Sequence, residues 1–173
     1  MRRAASALLC FCLAAPLAAA EKTIYGLNEY VGLPNLDLLV AAKLDTGAKT
    51  ASLSATDIER FKRDGESWVR FYLAIDDAHE HPIELPLARI SKIKRRAGDY
   101  DPEEDAKTYT ARPVIELDMC MGGQVRLIEV NLTDRSTFQY PLLIGSEALK
   151  NFDALIDPSL KYSAGKPACV AHN

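Results

Sequence analysis

Where the chain carries a clear pattern, apolar and polar positions mostly alternate with a period of two, as in strands that turn one face to a core. Val69, Phe71, Leu73 and Ile75 alternate with Trp68, Arg70, Tyr72 and Ala74, and Asp64-Gly65 just before them is a hairpin turn signal. Ile83, Leu85 and Leu87 repeat the alternation. Val114, Ile115, Leu117 and Met119 lead to Gly122-Gly123 and then to residues 125–132, which predicts a second hairpin. Two further segments are apolar without alternation. Residues 38–44 read as a buried strand, and residues 140–149 as a buried strand, a glycine and a short helix. No internal repeat and no long helical pattern stands outside the N-terminal run, so the expectation is an all-β fold, a small closed barrel with one short C-terminal helix.

The N-terminus changes the picture of where this barrel resides. Arg2 and Arg3 precede an apolar run over residues 4–19, and Ala18-Ala19-Ala20 supplies small residues for cleavage before Glu21. Residues 1–20 therefore read as a secretory signal peptide and residues 21–173 as one domain, periplasmic or secreted. A retained membrane anchor is the alternative, since the run is near the short end of spanning length. Loss of Arg2 and Arg3 takes the formal charge from −3 to −5, a mildly acidic chain with no basic field for nucleic acid. Cys10 and Cys12 would leave with the signal, and the remaining thiols, Cys120 and Cys169, are expected to form a bridge in an oxidising compartment. Closing a loop of about fifty residues is worth roughly 4 kcal/mol in the chain-entropy model.

Candidate chemistry sits at the end of the 38–44 run, where Asp45-Thr46-Gly47-Ala48 places an acid on a tight glycine turn. Asp and Gly are also ordinary turn residues. An acid held in this way can serve as half of a carboxylate pair sharing one proton, in which one member donates to a scissile carbonyl while the other activates water. Gly47 would let a backbone N–H approach the carboxylate where a Cβ would intrude. Far along the chain, Tyr140-Pro141-Leu142-Leu143-Ile144-Gly145 is a second apolar segment ending in a glycine.

Together with Trp68 to Phe71, Arg112-Pro113-Val114 and Leu132-Thr133-Asp134-Arg135-Ser136, these motifs give a chain that resembles the bacterial retropepsin-like peptidases catalogued as ATP-dependent zinc proteases. The resemblance implies a barrel of the acid-protease type, with Asp45, Thr46 and Gly47 catalytic and Ala48 and Lys49 in contact with substrate. Family members usually carry His at position 54 and Arg at position 146, where this chain has Ser54 and Ser146. Neither ATP nor zinc is expected: the chain has no G-x-x-x-x-G-K-[ST] loop and no H-E-x-x-H helix, and His79, Glu80 and His81 read as an exposed polar turn without enough ligands for a metal. No cofactor is implied.

Residues 92–107 set Lys94-Arg95-Arg96 beside Asp99, Asp101, Glu103, Glu104 and Asp105, and read either as a solvated loop or as the flap that closes over a bound peptide. Asp134-Arg135-Ser136 and Asp157-Pro158-Ser159 lack the D-[TS]-G turn, so a second acid must come from a second copy, which implies a homodimer. The expected function is that of an exported aspartic endopeptidase acting on an extended peptide or protein. The competing expectation is a non-catalytic periplasmic binding or regulatory module on the same barrel. N-terminal sequencing of exported protein should find Glu21 first; intact Arg2 and Arg3 in the exported fraction would replace the cleaved signal with an anchor.

Overall fold

The computed structural model describes residues 21–75, 81–94 and 109–169. Among these residues ten strands and one short α-helix, with a single 3-10 turn at Pro34–Leu36, follow one another as β1 (Thr23–Leu33), β2 (Leu38–Asp45), β3 (Ala51–Arg63), β4 (Glu66–Leu73), β5 (Ile83–Pro86), β6 (Arg89–Lys94), β7 (Tyr109–Met121), β8 (Gln124–Thr133), β9 (Leu142–Gly145), α1 (Ser146–Asn151) and β10 (Ala154–Lys161). Hydrogen bonding runs β1–β2–β9–β3–β8–β7, and a contact of β7 with β1 at Gly32↔Cys120 closes these six strands into a barrel. The all-β barrel with one short helix is thus the observed fold.

Period-two patterning does what it predicted in β4 and β7, and β2, read from its sequence as a buried strand without alternation, also buries every second side chain. In β2 the side chains of Leu38, Val40, Ala42 and Leu44 are buried, which turns Leu39, Lys43 and Asp45 to the other face. Val69, Phe71 and Leu73 of β4 are buried in the same core as Ile115, Leu117 and Met119 of β7. Both predicted hairpins form: Asp64-Gly65 joins β3 to β4 and Gly122-Gly123 joins β7 to β8, all four residues with positive φ as a two-residue type I′ turn requires. One end of the core is completed by Ala148, Leu149 and Phe152 on and after α1.

Three additions surround the barrel. β3 outlasts its barrel pairing, bends at a bulge between Thr56 and Glu59 where Asp57 has φ 49°, and continues with β4 and β5 as an outer three-stranded sheet. Glu84 on β5 accepts from both Arg63 and Arg70 there, and these two guanidinium groups hold its carboxyl below the usual range. β6 pairs with the first half of β7 from Arg89↔Val114 to Lys94↔Tyr109. The loop reading of residues 92–107 is therefore corrected at its start, since Lys92–Lys94 is strand, while residues 95–108 lie outside the described residues. So do residues 1–20, expected to be a signal peptide, and His79, Glu80 and His172; His81 is exposed.

β10 lies parallel to β1 at the sheet's edge, with Pro158 where an edge strand tolerates it. The chain then turns over β1, where Glu29, fully buried, accepts from Gly26 N–H (2.6 Å), Ser163 N–H and Oγ–H (3.1 and 2.6 Å) and Ala164 N–H (3.1 Å). Tyr162 stacks on Tyr30 at 4.5 Å between ring centroids. Beyond this turn Cys169 forms the disulfide with Cys120 of β7, Cα to Cα 6.1 Å. Glu29 is thus the anchor of the C-terminal segment, and Glu29→Ala would orphan the buried Gly26 N–H and release three partly buried donors of Ser163 and Ala164 at once. The expected cost is about 3 kcal/mol, or roughly 10 °C in Tm for a domain of this size, measured by thermal unfolding of the oxidised protein. A shift within about 2 °C would show that the disulfide alone holds the segment.

Candidate active site

Asp45 is the last residue of β2 and lies opposite Gly145, the last of β9. β9 runs between β2 and β3, parallel to the first and antiparallel to the second, so the loop from β2 to β3 must pass over its end. That loop is residues 46–50. Its approach to β9 is so close that a Cβ on Gly145 would lie 2.5 Å from the Thr50 carbonyl oxygen, which only glycine permits. The loop is fastened from below, since the Ser146 and Glu147 N–H groups donate to the carbonyls of Ala48 (2.8 Å) and Lys49 (3.1 Å).

Within the loop the Gly47 and Ala48 N–H groups both donate to Asp45 Oδ1, at 3.0 and 3.2 Å. A Cβ on Gly47 would come within 3.3 Å of that same oxygen, in line with the expectation that glycine keeps the approach clear. One carboxylate oxygen is thereby committed to the loop and the other is left outward, with Lys43 Nζ 4.0 Å from Oδ2 and the Asp45 side chain 31% exposed. The geometry aims a carboxylate out of the barrel in a fixed orientation. Thr46 is exposed at the loop's tip. Ala48 and Lys49, expected to touch substrate, supply the carbonyls just described, and the Lys49 side chain lies 3.5 Å from Glu147.

Asn131 of β8 braces the loop from the side, donating from Nδ2 to Thr50 Oγ1 (3.0 Å) and to the Ala51 carbonyl (2.5 Å). Its Oδ1 accepts from Arg112 Nη1 at 3.3 Å. Arg135 lies close enough to feel both Arg112 and Asp45: burial foremost, then repulsion by Arg112, depress its guanidinium pKa, and the Asp45 charge works the other way. Its backbone N–H donates to Ser54 Oγ at 3.1 Å, so Ser54 has a local task here. Lys43, Arg112, Asn131 and Arg135 did not stand out as site residues in the sequence. A signal for Lys43 was its place two residues before Asp45, which puts both on one face of a strand; Arg112 and Arg135 reach the site only through pairing of β7, β8 and β3.

Asp134 and Asp157, the other acids on turn-like tripeptides, each accept from the N–H two residues ahead, Ser136 at 2.8 Å and Ser159 at 2.9 Å. Both carboxyls are held below their ordinary range by these bonds and by the hydroxyls of the same serines. They organise their own turns.

Comparison with known proteins agrees with this geometry. The family model for RimB-like proteins, described as the retropepsin-like aspartic endopeptidase RimB, matches residues 24–167. A Shewanella pealeana protein named probable alpha-L-glutamate ligase is 36% identical over 152 residues, and a Desulfotalea psychrophila protein of the same name is 30% identical over 147. Each alignment covers 84% of this chain, but the chain spans only 31% and 30% of those relatives' lengths. The crystal structure of a Legionella pneumophila protein of unknown function, Lpg0085, superposes with a TM-score of 0.68 at 35% identity, covering 83% of this chain and 99% of that one. With the carboxylate on its glycine turn, the apolar-glycine strand beneath it and a family match over nearly the whole described barrel, the chain belongs to the RimB-like family of retropepsin-like proteins.

Proposed function

We propose that this protein is an exported aspartic endopeptidase whose two Asp45 carboxylates meet across a homodimer axis. The observation that carries the reading is the orientation of Asp45, with Oδ1 held by two loop N–H groups and Oδ2 turned outward. A single chain offers one such acid, and the dyad chemistry needs two. With one Asp45 ionised and the other protonated, the ionised member takes a proton from a water poised between them as its oxygen attacks the scissile carbonyl carbon. The protonated member donates to the carbonyl oxygen. Collapse of the tetrahedral intermediate returns a proton to the departing nitrogen, so one water is consumed and the dyad is restored.

The relatives favour a substrate class. Proteins named alpha-L-glutamate ligase carry this domain in less than a third of their length, and the bond that such a ligase would make is one that an aspartic dyad would hydrolyse. A peptide bearing glutamate side chains is therefore the substrate proposed for this chain as well.

Asp45→Asn should leave the fold intact and reduce hydrolysis of such peptides by at least about 100-fold, because the amide keeps the size but cannot exchange the shared proton. Hydrolysis at the wild-type rate would remove Asp45 from the mechanism. The dimer is tested by refolding equal amounts of wild-type and Asp45→Asn chains together, which places about half of all dimers in mixed pairs and about a quarter in wild-type pairs. Activity per wild-type chain should fall to roughly half. Undiminished activity, with mixing confirmed by a mass-tagged chain, would rule out the shared dyad.

A further inference from the structure

Beside the catalytic loop lies a hollow of about 350 Å³ whose charged lining is entirely cationic: Lys43, Arg135 and Lys161, with Asn28, Phe138 and Tyr140 among the other walls. Lys43 ties it to the chemistry, since its Nζ is 4.0 Å from Asp45 Oδ2. Arg135 is the most informative of the three. It is 7% exposed, its Nε donates to the Tyr140 carbonyl at 3.3 Å, and its guanidinium lies 4.6 Å from the centre of the Phe138 ring. These contacts fix the plane of the group and leave its terminal nitrogens without a carboxylate within ion-pair distance among the described residues. Among the described residues Arg112 next to it likewise has no acid partner, and its buried Nε has no hydrogen-bond partner.

Two neighbouring guanidinium groups, one buried and one half-buried, with only the field of Asp45 acting on Arg135 and no carboxylate in ion-pair contact with either among the described residues, leave an unmet demand for negative charge. An apolar side chain seated over Arg135 would deepen the desolvation cost without answering it. A carboxylate would answer it with the planar, two-pronged pairing that arginine offers and lysine does not.

We propose that this hollow is a specificity subsite in which Arg135 receives the side-chain carboxylate of a substrate residue flanking the scissile bond, with Lys43 and Lys161 supplying the surrounding positive field. The inference rests on the peptidase reading for its setting, and names the residue that reads the substrate. Arg135 takes no part in bond breaking; its role is to favour an acidic residue at one position and so to place the neighbouring peptide bond over Asp45.

Binding tests this apart from turnover. Mature Asp45→Asn protein is titrated with a glutamate-containing peptide, its all-glutamine counterpart, and a series in which one glutamate is restored at each position in turn. The expected result is a preference of about 10- to 100-fold for the glutamate peptide, recovered mostly by a single position. Arg135→Gln in the same background should bring the two peptides within about threefold of each other while leaving affinity for the glutamine peptide unchanged. Arg135→Lys, which keeps the charge and loses the fork, should retain only part of the preference and carries the test if the glutamine variant does not fold. Equal affinity for the two peptides, equal gains at every position, or an undiminished preference in the Arg135 variants would each overturn the proposal. A wild-type protein that discriminates in binding yet cleaves nothing would sink the peptidase reading and leave the subsite standing.

Discussion

The pairing of Asp45 with Gly145 is the constraint on which the rest of the site depends. A strand made late in the chain enters between two consecutive early ones, and the loop that joins those two is forced over its end. At that crossing backbone meets backbone, with no room for a side chain at Gly145. The result is a rigid platform: the N–H groups that open α1 hold the loop's carbonyls, the loop's own N–H groups hold Oδ1 of Asp45, and the carboxylate has one orientation left. Precision at a catalytic group generally comes from such overdetermination by packing and hydrogen bonds.

Electrostatics around the platform are lopsided. The chain as a whole is mildly acidic, yet the described charged side chains around Asp45 include Lys43 and Arg135, with Arg112 beside Arg135. A net charge therefore says little about the field at a cleft, because screening in water confines the effect of distant surface charge to about a Debye length, roughly 8 Å at physiological salt. Desolvated arginines at the site are felt far more strongly than solvated carboxylates elsewhere.

How much of this was legible in the sequence follows from how local each interaction is. β4, β7 and β8 announced themselves because each has one buried face and is joined by a turn whose residues must adopt positive φ, and both properties are written in a few consecutive positions. Asp45-Thr46-Gly47 was legible for the same reason. β1 was not, since Glu29 and Asn28 are buried polar residues that break its alternation, and the donors that make Glu29 tolerable lie at Ser163 and Ala164, far along the chain. β10 was hidden by Pro158 and by an edge position that demands no apolar face. Arg135 was visible as a residue but not as part of a site, because only the register of β8 against β3, with Ser54↔Thr133, brings it beside the loop.

The position of the late strands bears on when this molecule can become folded at all. β1 leans on β10, β2 leans on β9, and the ring closes through one residue pair between β1 and β7. No subset of the strands before β9 makes a closed ring, so a growing chain has no complete barrel to fall into until residues 142–145 have joined it. Contacts of such long sequence separation come at a high entropic cost and form slowly. The same topology that locks the carboxylate in place thus keeps the nascent chain open and threadable until its late strands arrive, with β9, the strand beneath the Asp45 loop, the piece that completes the ring.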